Sequence, residues 1–144
     1  MGVMLQAFYK LGETGVPCPA DGDAHIPWWW DHLAAQARDL RKAGFTALWL
    51  PPVNKGALGT HSLGYDLFDD YDLGSKSQRG AIPTRYGTRE QLQRCVAMLR
   101  ANGLEVYLDL VENQRVGGSG PDGFSFRYQD AFGPPPGGRF DHDH

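Results

Sequence analysis

Two short runs of this sequence concentrate groups that can hold a polyhydroxylated ligand. The first is Asp109, Glu112, Asn113 and Gln114, which follow one another where an apolar run over residues 104–111 gives out. The second is Tyr65 with Asp66, Asp69, Asp70 and Asp72. An aromatic ring can cover the apolar C–H face of a pyranose while carboxylate and amide groups bond its hydroxyls, so this mixture points to sugar binding. The competing reading is a loop packed by its own aromatics, with its acids in solvent.

Positioning such groups needs a scaffold, and hydrophobic periodicity supplies one. An apolar run over residues 3–8 is too short for a helix and reads as a strand. Residues 28–43 carry Trp30, Leu33, Ala34, Ala37 and Leu40 at helical spacing, with Gly44 as the stop. Residues 45–50, Phe-Thr-Ala-Leu-Trp-Leu, read as a second strand ended by Pro51-Pro52. Thr88 and Gln91 form a capping-box pattern at the start of a second helix that runs to Ala101, with a buried stripe of Leu92, Cys95, Val96 and Leu99. Gly103 ends it, and residues 104–111 read as a buried third strand. The order strand, helix, strand, helix, strand predicts a parallel α/β sheet with helical crossovers. Pattern alone leaves open whether it is half of a doubly wound sheet or the first part of an eight-stranded barrel.

In parallel α/β folds the polar chemistry gathers at the carboxyl ends of the strands. Asn113 falls there, and so does the connection over residues 53–87, which is far longer than the roughly 2–6 residues usual in such folds. Its Tyr65, Leu67, Phe68, Tyr71, Leu73, Ile82 and Tyr86 carry too much apolar surface for a disordered segment. After Val116 the texture becomes glycine- and proline-rich, with Phe124, Phe126 and Tyr128, and reads as an irregular subdomain.

The 144 residues suit one ordinary domain, and 41% hydrophobic content is enough for a core. A net charge of −3 from 14 basic and 17 acidic residues, mixed along the chain, offers no stripe for nucleic acid and no polybasic membrane patch. Cys18 and Cys95 lie too far apart in sequence to form a metal-ligand pair. The start, Met1-Gly2-Val3-Met4-Leu5, lacks signal-peptide character, so a cytoplasmic location is expected, or a secreted one if the N-terminus is truncated.

Several of these segments resemble the α-amylase family (glycoside hydrolase family 13), in the right order over nearly the whole chain. Asp109-Leu110-Val111-Glu112-Asn113-Gln114 is similar to the family's Asp-Val-Val-x-Asn-His, with Gln114 in place of His. Gly64-Tyr65-Asp66 through Tyr71-Asp72-Leu73-Gly74 resembles Gly-Tyr-Asp…Tyr-Asp-Leu-Gly. Gln78-Arg79-Gly80 and Thr84-Arg85-Tyr86-Gly87-Thr88 resemble the next family segment. Met4-Leu5-Gln6-Ala7-Phe8, Trp49-Leu50-Pro51-Pro52 and Lys55-Gly56 match the first two strands and their sequel in bacterial liquefying-type and cytoplasmic α-amylases. Gly138-Arg139-Phe140 is similar to the early part of their domain B.

The resemblance implies an α/β fold that is the N-terminal portion of a (β/α)8 TIM barrel. Residues 1–116 would supply about three parallel strands and two helices, and residues 117–144 the incomplete start of domain B. It implies retaining endo-hydrolysis of α-1,4-glucans by the full-length protein. The alternatives are another specificity of the family, an α-glucosidase or a maltooligosaccharide-forming enzyme, and a non-catalytic carbohydrate-binding remnant. Carried over residue by residue, Tyr65 stacks on a glucose unit, Asp109 is a buried carboxylate beside it, and Gln114 bonds the same glucose without the charge a His could carry. Asn113 gives an oxygen to a structural calcium. Lys10 replaces a family aromatic in the first loop. The family's catalytic carboxylates follow its fourth and fifth strands, with a third after the seventh, so no catalytic residue is expected here and the fragment alone should be inactive.

Overall fold

The structure, a computed structural model, describes residues 2–8 and 15–113. In chain order the elements are β1 (Met4–Gln6), α1 (Trp29–Lys42), β2 (Ala47–Leu50), β3 (Lys55–Gly56), β4 (Leu67–Asp69), α2 (Arg89–Ala101) and β5 (Glu105–Leu108). β1, β2 and β5 form a parallel sheet in that spatial order, and the crossovers pass through α1 and α2. The expected strand-helix alternation is therefore present, with strands shorter than their apolar runs. Helix ends agree to within a residue of the sequence reading.

The register explains the core. Leu5, Leu48 and Val106 lie side by side, and together with Leu50 they face the helices. Trp30, Leu33 and Ala37 of α1 and Leu92, Cys95 and Leu99 of α2 are buried against them. These are the helical stripes the spacing predicts. Each fully buried Leu contributes about 1.5–3 kcal/mol relative to exposure. The cap of α2 also forms as read: the Thr88 side chain accepts from the Gln91 amide, while the Gln91 side chain accepts from the Thr88 amide. Asp31 of α1 accepts from Arg94 at 2.7 Å and from the Gln91 side chain, which ties the two helices together.

Two expectations need correction. The third strand is not buried: Tyr107, Leu108 and Leu110 are exposed, and Val106 is half-buried. β5 is an edge of the described sheet and is covered on one side only, so its apolar run meets no second layer among the described residues. The long connection over residues 53–87, whose sequence reads as an irregular stretch, also holds regular structure. Within it β3 and β4 pair antiparallel, and a 3₁₀ turn spans Gly59–His61. Leu67 and Phe68 bury their side chains there, whereas Tyr71 and Ile82 are exposed. The expected domain B over residues 117–144 lies outside the described residues.

Candidate functional site

The carboxyl end of the sheet is built by backbone before any side chain is placed. Asp109 continues the ladder past β5, its amide donating to the Leu50 carbonyl at 3.0 Å. Pro51-Pro52 then turns the chain out of β2. Gly64 comes back against Pro52 with φ of 92°, and a Cβ there would lie 2.6 Å from the Pro52 ring. Both the left-handed backbone and the close approach require glycine. This return delivers the next residue, Tyr65, to the strand end.

Tyr65 Oη donates to Asp109 Oδ2 at 2.7 Å. The structure thus brings together two of the residues singled out from the sequence, 44 positions apart. Burial, with the hydrogen bond and charge of Asp109, pushes the Tyr65 phenol up to about 12, so it remains a neutral donor at ordinary pH. Asp109 is half-buried, a correction to its expected burial, because β5 lies at an edge. Oδ1 accepts no hydrogen bond from another described residue. Among the described residues the arrangement is a held aromatic ring beside a carboxylate with one oxygen committed and one not.

The neighbouring acids divide sharply. Asp66 is an anchor: it accepts from the Leu58 amide at 3.0 Å and from the Ser62 hydroxyl, and Gly56 leaves the space this requires. Asp69 and Asp72, expected to join a sugar-binding mixture, are 2% and 0% exposed and are committed internally. Asp69 takes Lys76 Nζ at 2.7 Å and Gln78 Nε2 at 2.8 Å. Asp72 Oδ1 accepts from the amides of Gly74, Ser75 and Lys76, and Oδ2 from Gln78. Burial pushes the Asp72 carboxyl up, but those bonds from Ser75, Gln78 and Lys76 and the Lys55 charge outweigh it and hold the group below its ordinary value. Neither acid can face a ligand. Asp70 is half-buried, and its carbonyl accepts from Asn54.

Asn113 is exposed at the end of the described chain, and Gln114 and Lys10 lie outside the described residues. Among the described residues no group of three or more His, Cys, Asp or Glu could hold a metal. Calcium takes about 6–8 oxygens, so the described residues do not form a calcium cage by themselves.

Among the organising residues that sequence reasoning missed is Arg85. It is 2% exposed and donates to both carboxylate oxygens of Asp21 and to the carbonyls of Val16 and Thr60, fastening three segments on one guanidinium. Next to it Tyr86 packs on Trp30, with ring centroids 5.3 Å apart, and donates to the Leu63 carbonyl at 2.9 Å, just before Gly64. No local signal marks Arg85, since its partners are remote in sequence.

No protein-family model matches the chain. Curated relatives do. Over 116 residues it is 43% identical to glucan 1,4-alpha-maltohexaosidase of Bacillus sp. (strain 707), a match that covers 81% of this chain and 20% of that protein. Over 88 residues it is 43% identical to the cytoplasmic alpha-amylase of Escherichia coli, covering 61% and 18%. Among solved structures, the truncated alternansucrase of Leuconostoc mesenteroides superposes with a TM-score of 0.53 at 27% identity, covering 60% of this chain and 8% of that one. Alternansucrase in complex with isomaltononaose gives 0.54, with the same identity and coverage. The class is thus a parallel α/β unit shared with carbohydrate-active enzymes. Within that class the resemblance to the α-amylase family is shown by sequence, and the chain carries an α-amylase-like region. It spans about a fifth of the length of the curated relatives it matches.

Proposed function

We propose that this chain is the N-terminal part of a (β/α)8 barrel in a glycoside hydrolase acting on α-1,4-glucans. The observation that carries the reading is the Tyr65–Asp109 hydrogen bond at the carboxyl end of a parallel sheet. It joins an aromatic face and a carboxylate where such folds bind ligands. In this reading Tyr65 stacks on a glucose ring, Asp109 bonds its hydroxyls through Oδ1, and Gln114 contributes an uncharged hydrogen bond.

The full-length reaction is proposed as retaining endo-hydrolysis, which needs two carboxyl groups about 5–5.5 Å apart. None of the acids at Asp66, Asp69, Asp70 or Asp72 is assigned to that pair; Asp66, Asp69 and Asp72 are committed to bonds within the loop. The names of the relatives leave room for a second reading, since a maltohexaosidase and a maltase A1 stand beside the α-amylases. A maltooligosaccharide-forming or α-glucosidase specificity fits the same site. Calcium belongs to the proposal through Asn113 alone, and the remaining ligands would come from residues beyond it.

Titrating maltohexaose against the 144-residue chain by NMR, together with a reducing-sugar assay on starch, tests the reading. Saturable shifts near Tyr65 that vanish in Tyr65→Ala, without hydrolysis, are expected. Equal binding by Tyr65→Ala sinks the assigned subsite, and starch hydrolysis by this chain sinks the view that its catalytic groups lie elsewhere.

A further inference from the structure

The Lys55 ammonium sits where a free ion could sit. Its residue is 0% exposed, and Nζ donates to three successive carbonyls, those of Ala81 at 2.9 Å, Ile82 at 2.7 Å and Pro83 at 3.1 Å. Asp72 Oδ2 stands 3.4 Å away. Three carbonyls match the donor number of an ammonium, and the carboxylate balances its charge. A ring of converging carbonyl oxygens is also the arrangement that replaces the hydration shell of potassium in selective pores.

Two of the four acceptors, Asp72 and Ala81, are also held by bonds that do not involve Lys55. Asp72 is fixed by the amides of Gly74, Ser75 and Lys76 and by Gln78. Ala81 is fixed by its backbone pair with Gln78, at 3.3 Å and 3.2 Å, and the next turn by the pairing of Thr84 with Gly87. The Ile82 and Pro83 carbonyls lie between these two held points, residues 81 and 84, so the cradle requires that short span to keep its shape when the ammonium is removed. Its oxygens lie too far from the centre for calcium, which needs about 2.3–2.6 Å, and only one carboxylate adjoins it. The matching ligand is a monovalent cation of ammonium or potassium size.

We propose that Asp72 and the carbonyls of residues 81–83 form a monovalent-cation site that the protein fills with its own Lys55 side chain. The tether makes the order of the loop carrying Tyr65 independent of the salt around it. Shortening Lys55 opens the site to ammonium or potassium from solution, which then stabilises the folded state by mass action.

The test compares melting of the wild-type chain, Lys55→Ala and Lys55→Met in ammonium, potassium and choline chlorides at equal ionic strength. Choline is too large for the cradle. The wild type is expected to melt alike in all three. Lys55→Ala is expected to melt lower in choline and to gain a few degrees in ammonium, since at ten times its Kd a ligand shifts the folded ratio about tenfold. Lys55→Met fills the stem of the space without the charge and should gain nothing. Equal melting of Lys55→Ala in ammonium and choline overturns the site, as does an equal gain by Lys55→Met or by the wild type. Failure of Lys55→Ala to fold in any of the salts also overturns it. On the wild type itself, a 15N-lysine label should show a slowly exchanging ammonium resonance at neutral pH; its absence contradicts the cradle.

Discussion

Two acid-and-partner pairs lie in the α-amylase-like region and serve opposite ends. Tyr65–Asp109 joins neutral phenol to carboxylate at a strand end, both half-buried, and among the described residues leaves one oxygen without a hydrogen bond. Lys55–Asp72 joins two full charges, both 0% exposed, and every strong hydrogen-bonding position of the pair is occupied by protein. The difference teaches that acidic residues in a loop should be sorted by what already bonds them. A saturated carboxylate builds the loop, and an unsaturated one can serve a ligand.

The sharpest way to break this contrast is Lys55→Met, which strands the Asp72 charge in the interior. Losing one partner of a buried ion pair costs about 3–5 kcal/mol, so urea unfolding should show a loss of that order. A change below about 1 kcal/mol would mean that the pair is solvated in solution. Acid titration gives a second, smaller effect. The folded-state pKa of Asp72 is lowered, so its contribution is present above the unfolded value and is lost as pH falls through the folded one. Melting temperature should therefore drop below about pH 4, and Asp72→Asn should flatten that drop.

The Tyr65–Asp109 pair should weigh least on stability. Tyr65→Phe removes one partly exposed hydrogen bond and should cost about 0.5–1.5 kcal/mol, while Tyr65→Ala should abolish any maltohexaose binding. Alkaline difference spectroscopy sharpens the point. The folded pKa is raised to about 12, so the stabilisation persists below the ordinary tyrosine value of 10.0 and is lost as pH rises through the folded one. Asp109→Asn removes the carboxylate's charge and leaves the burial, so one tyrosine should ionise at lower pH than in the wild type while staying above the ordinary value.

The helices and the order of the parallel sheet were legible because they follow from spacing within short windows. Trp30, Leu33 and Ala37 repeat at helical intervals, and Thr88 and Gln91 announce their cap. The Tyr65–Asp109 meeting was legible only through resemblance to a known family, since 44 residues separate the two. The fates of Asp69, Asp72, Lys55 and Arg85 were not legible. A charged residue between prolines and glycines reads as solvated, and only the tertiary fold supplies the carbonyls and amides that allow burial. The exposure of Tyr107 and Leu108 was hidden for the complementary reason: an apolar run does not say what packs across it.

Arg85 has a kinetic consequence. Its contacts to Asp21 and Val16 join residues 64 and 69 positions apart, whereas the Thr88–Gln91 cap closes within a single turn. Closing the longer loops carries more chain entropy, so the helix should order early and the guanidinium clamp late. A residue whose contacts form after the folding transition state affects escape from the native state rather than entry into it. Arg85→Lys should therefore accelerate unfolding in stopped-flow experiments and leave the refolding limb nearly unchanged. The lifetime of the loop that presents Tyr65 would then be set by a residue that touches neither the ring nor its carboxylate.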